Sequence, residues 1–233
     1  MSIAEAFLAE FETQAPITRK FLERLPEDKL TWKPHEKSMT AGQLAYHLAS
    51  VPGGIVRFVQ NNPAQAPESF NFPQPTSRRE ILDKLEESIA TVRSHLPKFD
   101  DAAMKESWRM VSGGRELFAQ PRGEFLRDVM LSHWYQHRGQ FSVYLRMLDV
   151  AVPASWGPSA DEPPLFVQKA QSAWRPLRRN YVPSMHGGDG DVDGVGSFKR
   201  GTDGGGGDQA SRESDGAEEI QFLSADGGAE GVG

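Results

Sequence analysis

Six histidines and no cysteine set the metal chemistry open to this 233-residue chain. No thiolate can serve as nucleophile or ligand, and no disulfide can form. His133 and His137 are four residues apart. On a helix that spacing places two imidazoles on one face, one turn apart, with about 5–6 Å between Cβ atoms. His47 lies among Leu44, Val51 and Ile55 in a second run of helical periodicity. If the two helices face each other, three neutral nitrogens converge and leave a coordination position open, the arrangement of catalytic zinc-type sites. The same spacing suits three core histidines that are each hydrogen-bonded to a neighbour, and both readings stand at this point. H-E-x-x-H is excluded, because Trp134, Tyr135 and Gln136 separate the pair. The Glu-x-x-His motif of carboxylate di-iron bundles is excluded too, since Leu44, Met130 and Trp134 stand three residues before the histidines. Imidazole suits zinc, nickel, iron and copper alike, so the ligands do not name the metal. Gln140 and Tyr144, one and two turns past His137, are candidates to orient a ligand or line a substrate pocket. His35 is expected to be solvated in a loop. His95 is expected to answer a helix dipole, and His186 falls in the tail. No catalytic side chain is assigned.

Four segments carry the periodicity that would position these residues. The first spans residues 3–25, with Ile3, Phe7, Phe11, Phe21, Leu22 and Leu25 near one side and Pro26 at its end. The second opens at Thr40, which forms a capping box with Gln43. Its stripe is Leu44, His47, Val51, Ile55 and Phe58, and Pro52 within it predicts a kink just beyond His47. The third starts near Ser77, with a second capping box to Glu80, and carries Ile81, Leu85, Ile89, Val92 and Leu96. The fourth, residues 121–150, starts with proline in its first turn. At 100° per residue its Leu126, Met130, His133, His137, Gln140, Phe141, Tyr144 and Leu148 share one arc, with Arg127, Asp128, Arg138 and Arg146 outside it. No strand pattern of comparable length and no internal repeat is visible. The expected fold is therefore all-α, a four-helix bundle. The linker from 62 to 75 contains four prolines. Its reach of roughly 40 Å exceeds the length of a 20-residue helix, so it permits helices 2 and 3 to run parallel.

The chain divides in composition near residue 166. Residues 1–166 hold 21 acids and 19 bases, whereas residues 167–233 hold 11 acids, 7 bases and 15 of the 23 glycines. The first part is expected to be the bundle domain. The second, with no periodic apolar face, is expected to be a disordered Gly-rich tail. A formal net charge of −6 gives no footprint for nucleic acid or anionic membranes. The N-terminus lacks the basic start and apolar run of a signal peptide, and no apolar run reaches membrane-spanning length. A cytoplasmic location is the expectation.

The segments Thr40-Ala-Gly-Gln-Leu-Ala-Tyr-His47-Leu, His133-Trp-Tyr-Gln-His137-Arg-Gly-Gln-Phe-Ser-Val-Tyr-Leu-Arg and Gly157-Pro-Ser-Ala-Asp-Glu162 closely resemble the DinB/YfiT-like family over residues 1–166. The resemblance implies a bundle of up-down-down-up topology, often a homodimer. It also implies one divalent metal ion (Zn, Ni or Fe) on His47, His133 and His137. Family members of known activity are similar to metal-dependent transferases that use a low-molecular-weight thiol of the bacillithiol or mycothiol type. The implied partners are thus a small-molecule thiol and an electrophile. A metal-dependent hydrolase and a non-enzymatic, stress-responsive metal-binding or interaction protein are the alternatives. The family often has a further histidine where this chain has Gln136, and the Gly-rich tail is not a family feature.

Overall fold

The structure, a computed structural model, describes residues 1–69 and 72–168. It is mostly helical. Helix α1 spans Ile3–Glu23, α2 Ala41–Phe58 and α3 Arg78–His95; a short α4 spans Asp101–Lys105. Two of these starts are fixed by reciprocal caps. Thr40 Oγ1 accepts from the Gln43 N–H and Gln43 Oε1 accepts from the Thr40 N–H, as the sequence predicts. Ser2 and Glu5 do the same for α1. At α3 only half of the predicted box forms. Ser77 Oγ accepts from the Glu80 N–H, while the Glu80 carboxylate turns to the Thr76 N–H. The next N–H, that of Arg78, is taken by Glu27.

Cross-helix contacts fix the directions in which the long helices run. From α2 to α3, Gly53 N–H meets Ser88 Oγ and Arg57 meets Thr91, so residue numbers rise together and the pair is parallel. From α1 to α3, Glu12 pairs with Arg93 and Arg19 with Glu86, so this pair is antiparallel. Gly53 allows the close approach of α2 to α3. A Cβ there would lie 2.8 Å from the Ser88 Cα. The core between these helices is aliphatic and aromatic, with Phe11, Leu22, Leu44, Leu48, Ile81, Leu85 and Phe141 fully buried.

Two expectations need correction. The fold is not purely helical. Ala64–Gln65 (β1), Ser107–Ser112 (β2) and Arg115–Pro121 (β3) form a three-stranded sheet, with β1 parallel and β3 antiparallel to β2. The β2–β3 hairpin closes on Gly113 and Gly114, both at positive φ, the geometry a two-residue hairpin turn demands. A register shift between Met110 and Val111 interrupts the alternation of faces. A bulge of this kind adds a residue on one strand and hides the period-two signal.

The fourth predicted helix is also not uniform. Arg122–Phe125 (α5) is followed by a π-helical stretch, Leu126–Ser132, and then by α6, His133–Met147. Pro121 caps this run from outside rather than occupying its first turn. The wider π turns shift the phase assumed at 100° per residue. On α6 the buried residues are Trp134, Arg138, Phe141, Tyr144 and Leu145, so Phe141 and Tyr144 are buried as the arc predicts, while Arg138, placed outside it by periodicity, is only 8% exposed. Helix α2 continues through Pro52. Residues 165–168 are helical; the remainder of the predicted tail lies outside the described residues. No described helix is long and apolar enough to cross a membrane.

Candidate metal centre

The centre depends on how α2 meets α6. Pro52 has no N–H, so the Leu48 carbonyl four residues earlier loses its usual helical donor. The buried indole Nε1 of Trp134 donates to that carbonyl at 2.8 Å. Trp134 also stacks on Phe11, with ring centroids 5.3 Å apart. Leu48 follows His47, and Trp134 follows His133. One hydrogen bond therefore sets the register that brings histidines of two helices together. Tyr144 O–H donates to the Met39 carbonyl farther along the same interface, so residue numbers fall on α2 as they rise on α6, and the helices are antiparallel.

His47, His133 and His137 each offer a ring nitrogen, and these atoms lie within 4.8 Å of one another. The closest pair, His133 Nε2 and His137 Nε2, is 2.6 Å apart. The ring of His47 stands 4.8 Å from that of His137 and 5.3 Å from that of His133, centroid to centroid. All three side chains are half-buried, at the margin of the core.

Electrostatics favour the neutral ring at His47 and His133. Burial, followed by the nearby His137 and His133, pushes the pKa of His47 down to about 3. Burial also lowers that of His133; His137 adds to the shift, and the Val129 carbonyl opposes it. His133 Nδ1 is buried without a hydrogen bond of ordinary geometry, so Val129 acts on it as an electrostatic neighbour only. On His137, Nδ1 lies 2.9 Å from Gln140 Oε1. An amide oxygen can only accept, so this contact keeps the proton on Nδ1 and leaves a lone pair on Nε2.

These observations test whether a cation fits. Lone pairs that converge from neutral imidazoles repel unless a proton or a metal ion stands between them. Nitrogens held about 2.0–2.1 Å from one tetrahedral ion lie about 3.3 Å apart. The 2.6 Å pair would part slightly and His47 would move inward, which are side-chain adjustments. The donor set is all-imidazole, with His137 oriented by an outer hydrogen bond as metal-ligating histidines usually are. The residues fit a divalent ion.

The other predicted residues fall in different places. Gln140 touches His137 directly. Tyr144 is buried, its ring T-shaped to that of Trp32 at 5.6 Å. His35 is exposed in a loop, where Nδ1 accepts from the Lys37 N–H. His95 ends α3, with Nδ1 near Ser94 Oγ and the Thr91 carbonyl. His186 lies outside the described residues. Sequence reasoning missed the positioning role of Trp134 and Pro52, although a proline one turn past a core histidine signals a freed carbonyl. It also missed Phe72, whose ring is edge-on to His47 at 5.5 Å.

The chain is similar to the uncharacterized protein YrdA of Bacillus subtilis (strain 168), at 29% identity over 157 residues that cover 67% of this chain and 89% of that protein. A solved structure of a DinB-like protein from Bacillus cereus ATCC 10987 shares the fold with a TM-score of 0.52 and 24% identity, covering 65% of this chain and 96% of that one. The model of the DinB superfamily matches residues 10–141, a span that includes all three histidines. The chain belongs to the DinB superfamily.

Proposed function

We propose that His47, His133 and His137 hold one divalent metal ion, and that the site serves a transferase using a low-molecular-weight thiol of the bacillithiol or mycothiol type. The observation that carries the metal reading is the convergence of three ring nitrogens within 4.8 Å. A divalent ion on three neutral imidazoles keeps its full charge and lowers the pKa of a thiol or water that joins it. The chain's own residues bind and orient. Gln140 holds the His137 proton on Nδ1, the Trp134–Leu48 hydrogen bond keeps the two helices in register, and buried Phe11 and Trp134 exclude water from the inner side. The absence of cysteine means that sulfur comes with the substrate, in keeping with a thiol co-substrate. The proposal extends to the architecture. The antiparallel and parallel contacts support one four-helix bundle in up-down-down-up order, in a cytoplasmic protein that pairs as a homodimer.

The test has two stages. Metal analysis of purified protein should give one divalent ion per chain, lost in His133→Ala and His137→Ala. Loss of a model electrophile is then followed with a panel of bacterial thiols, with and without chelation. Transfer should vanish on chelation and return with metal. Equal rates in metal-free protein would reject the transferase and leave a non-enzymatic metal-binding protein. Metal-dependent turnover of the electrophile without thiol would identify a hydrolase.

A further inference from the structure

Phe72, from outside α2 and α6, stands beside the three-histidine cluster. Its ring meets His47 edge-on at 5.5 Å and remains 36% exposed.

Phe72 is held in place by its backbone. Gln43 Nε2 donates to the Phe72 carbonyl at 3.0 Å. Two residues on, Gln74 accepts from Thr40 Oγ1 and donates to the Leu30 carbonyl. The segment is thus tied to the start of α2, the helix that carries His47. A phenyl ring left partly in water forgoes burial worth a large share of its transfer free energy, and here that apolar face is presented beside the ligand cluster.

We propose that Phe72 is a specificity-determining wall of the metal centre. It selects a ligand that carries an aromatic or branched apolar group next to its metal-binding atom. The proposal rests on the metal reading above. An apolar group on such a ligand would cover Phe72 and be covered by it. Ring–ring contacts prefer edge or offset geometry, so a second ring can pack on the exposed part of Phe72 while its contact with His47 stays.

The experiment uses the full chain loaded with cobalt(II), whose visible absorption reports an added ligand without any turnover. Cobalt stoichiometry is measured first. Imidazole and 4-phenylimidazole are then titrated into the wild type, Phe72→Ala and Phe72→Leu. The wild type should bind 4-phenylimidazole about tenfold more tightly than imidazole, the size of one well-placed aromatic contact. Phe72→Ala should abolish the phenyl preference and Phe72→Leu should keep part of it, both with unchanged cobalt content. Full cobalt loading with the same phenyl preference in Phe72→Ala would overturn the proposal and leave the metal site standing. A cobalt-loaded wild type without the preference would overturn it as well. Failure of the wild type to bind cobalt would reject the site reading, and this inference with it.

Discussion

At the scale of single residues, the site is one in which neighbours decide what the histidines can do. His137 owes its tautomer to Gln140, so Gln140→Ala should weaken metal binding about 10–100-fold, the usual cost of removing an outer hydrogen bond from a ligating histidine. Chelator competition measures this directly, and unchanged affinity would show that the contact is incidental. His133→Ala and His137→Ala should each abolish stoichiometric binding, and His47→Ala should weaken it strongly, because the two histidines of α6 are already 2.6 Å apart. Metal analysis of the three variants checks the order. The histidines themselves were legible in the sequence, since spacing of four and membership of a periodic stripe need no tertiary knowledge. Tyr144 shares the helical arc of His137 by periodicity, and its hydroxyl goes to the Met39 carbonyl; no one-dimensional pattern names a backbone acceptor 105 residues away.

Among elements, the joint between α2 and α6 is the sensitive one. Trp134→Phe keeps most of the volume but leaves the Leu48 carbonyl without a donor. The cost should be about 1–3 kcal/mol, read by denaturant unfolding, and metal affinity should fall although no ligand is touched. A variant of wild-type stability and affinity would remove Trp134 from the positioning role. The loop of residues 151–162 is a second joint. Asp161 accepts from Arg146 and from the Val152 N–H, and these hold its carboxyl below the usual range. For Glu162, burial pushes the pKa up, but the Ala154 N–H and Arg24 prevail and the net shift is downward. A lowered folded-state pKa stabilises above the unfolded value, about 4 for a carboxylate, and that contribution is lost as pH falls through the folded-state value. Hydrogen-exchange protection of residues 151–162, taken relative to the intrinsic rate at each pH, should therefore fall below about pH 4; a loop equally protected at lower pH would contradict the assignment. Helix caps at Thr40 and Ser77 were readable because capping is local. The hairpin was not, because the bulge at Met110 and Val111 broke the alternation, and the π segment was not, because a fixed 100° step cannot register a widened turn.

For the molecule as a whole, every buried core residue among those described lies between Ala4 and Ala154. A chain ended at residue 168 should consequently keep the thermal transition of the full chain; a transition lost on truncation would move the domain boundary. The order of the helices has a further consequence, which concerns time. Parallel α2 and α3 cannot form as a local hairpin, and the bond that registers α2 with α6 joins residues 86 apart. Contacts of such sequence separation form slowly, after the intervening chain has been ordered. His47 is therefore available early in synthesis but has no companions until α6 docks. With the proposed ion on the three histidines, the ligand set is complete only when the last helix arrives, so metal should leave the early refolding phases unchanged and act on the final docking step and on the rate of unfolding.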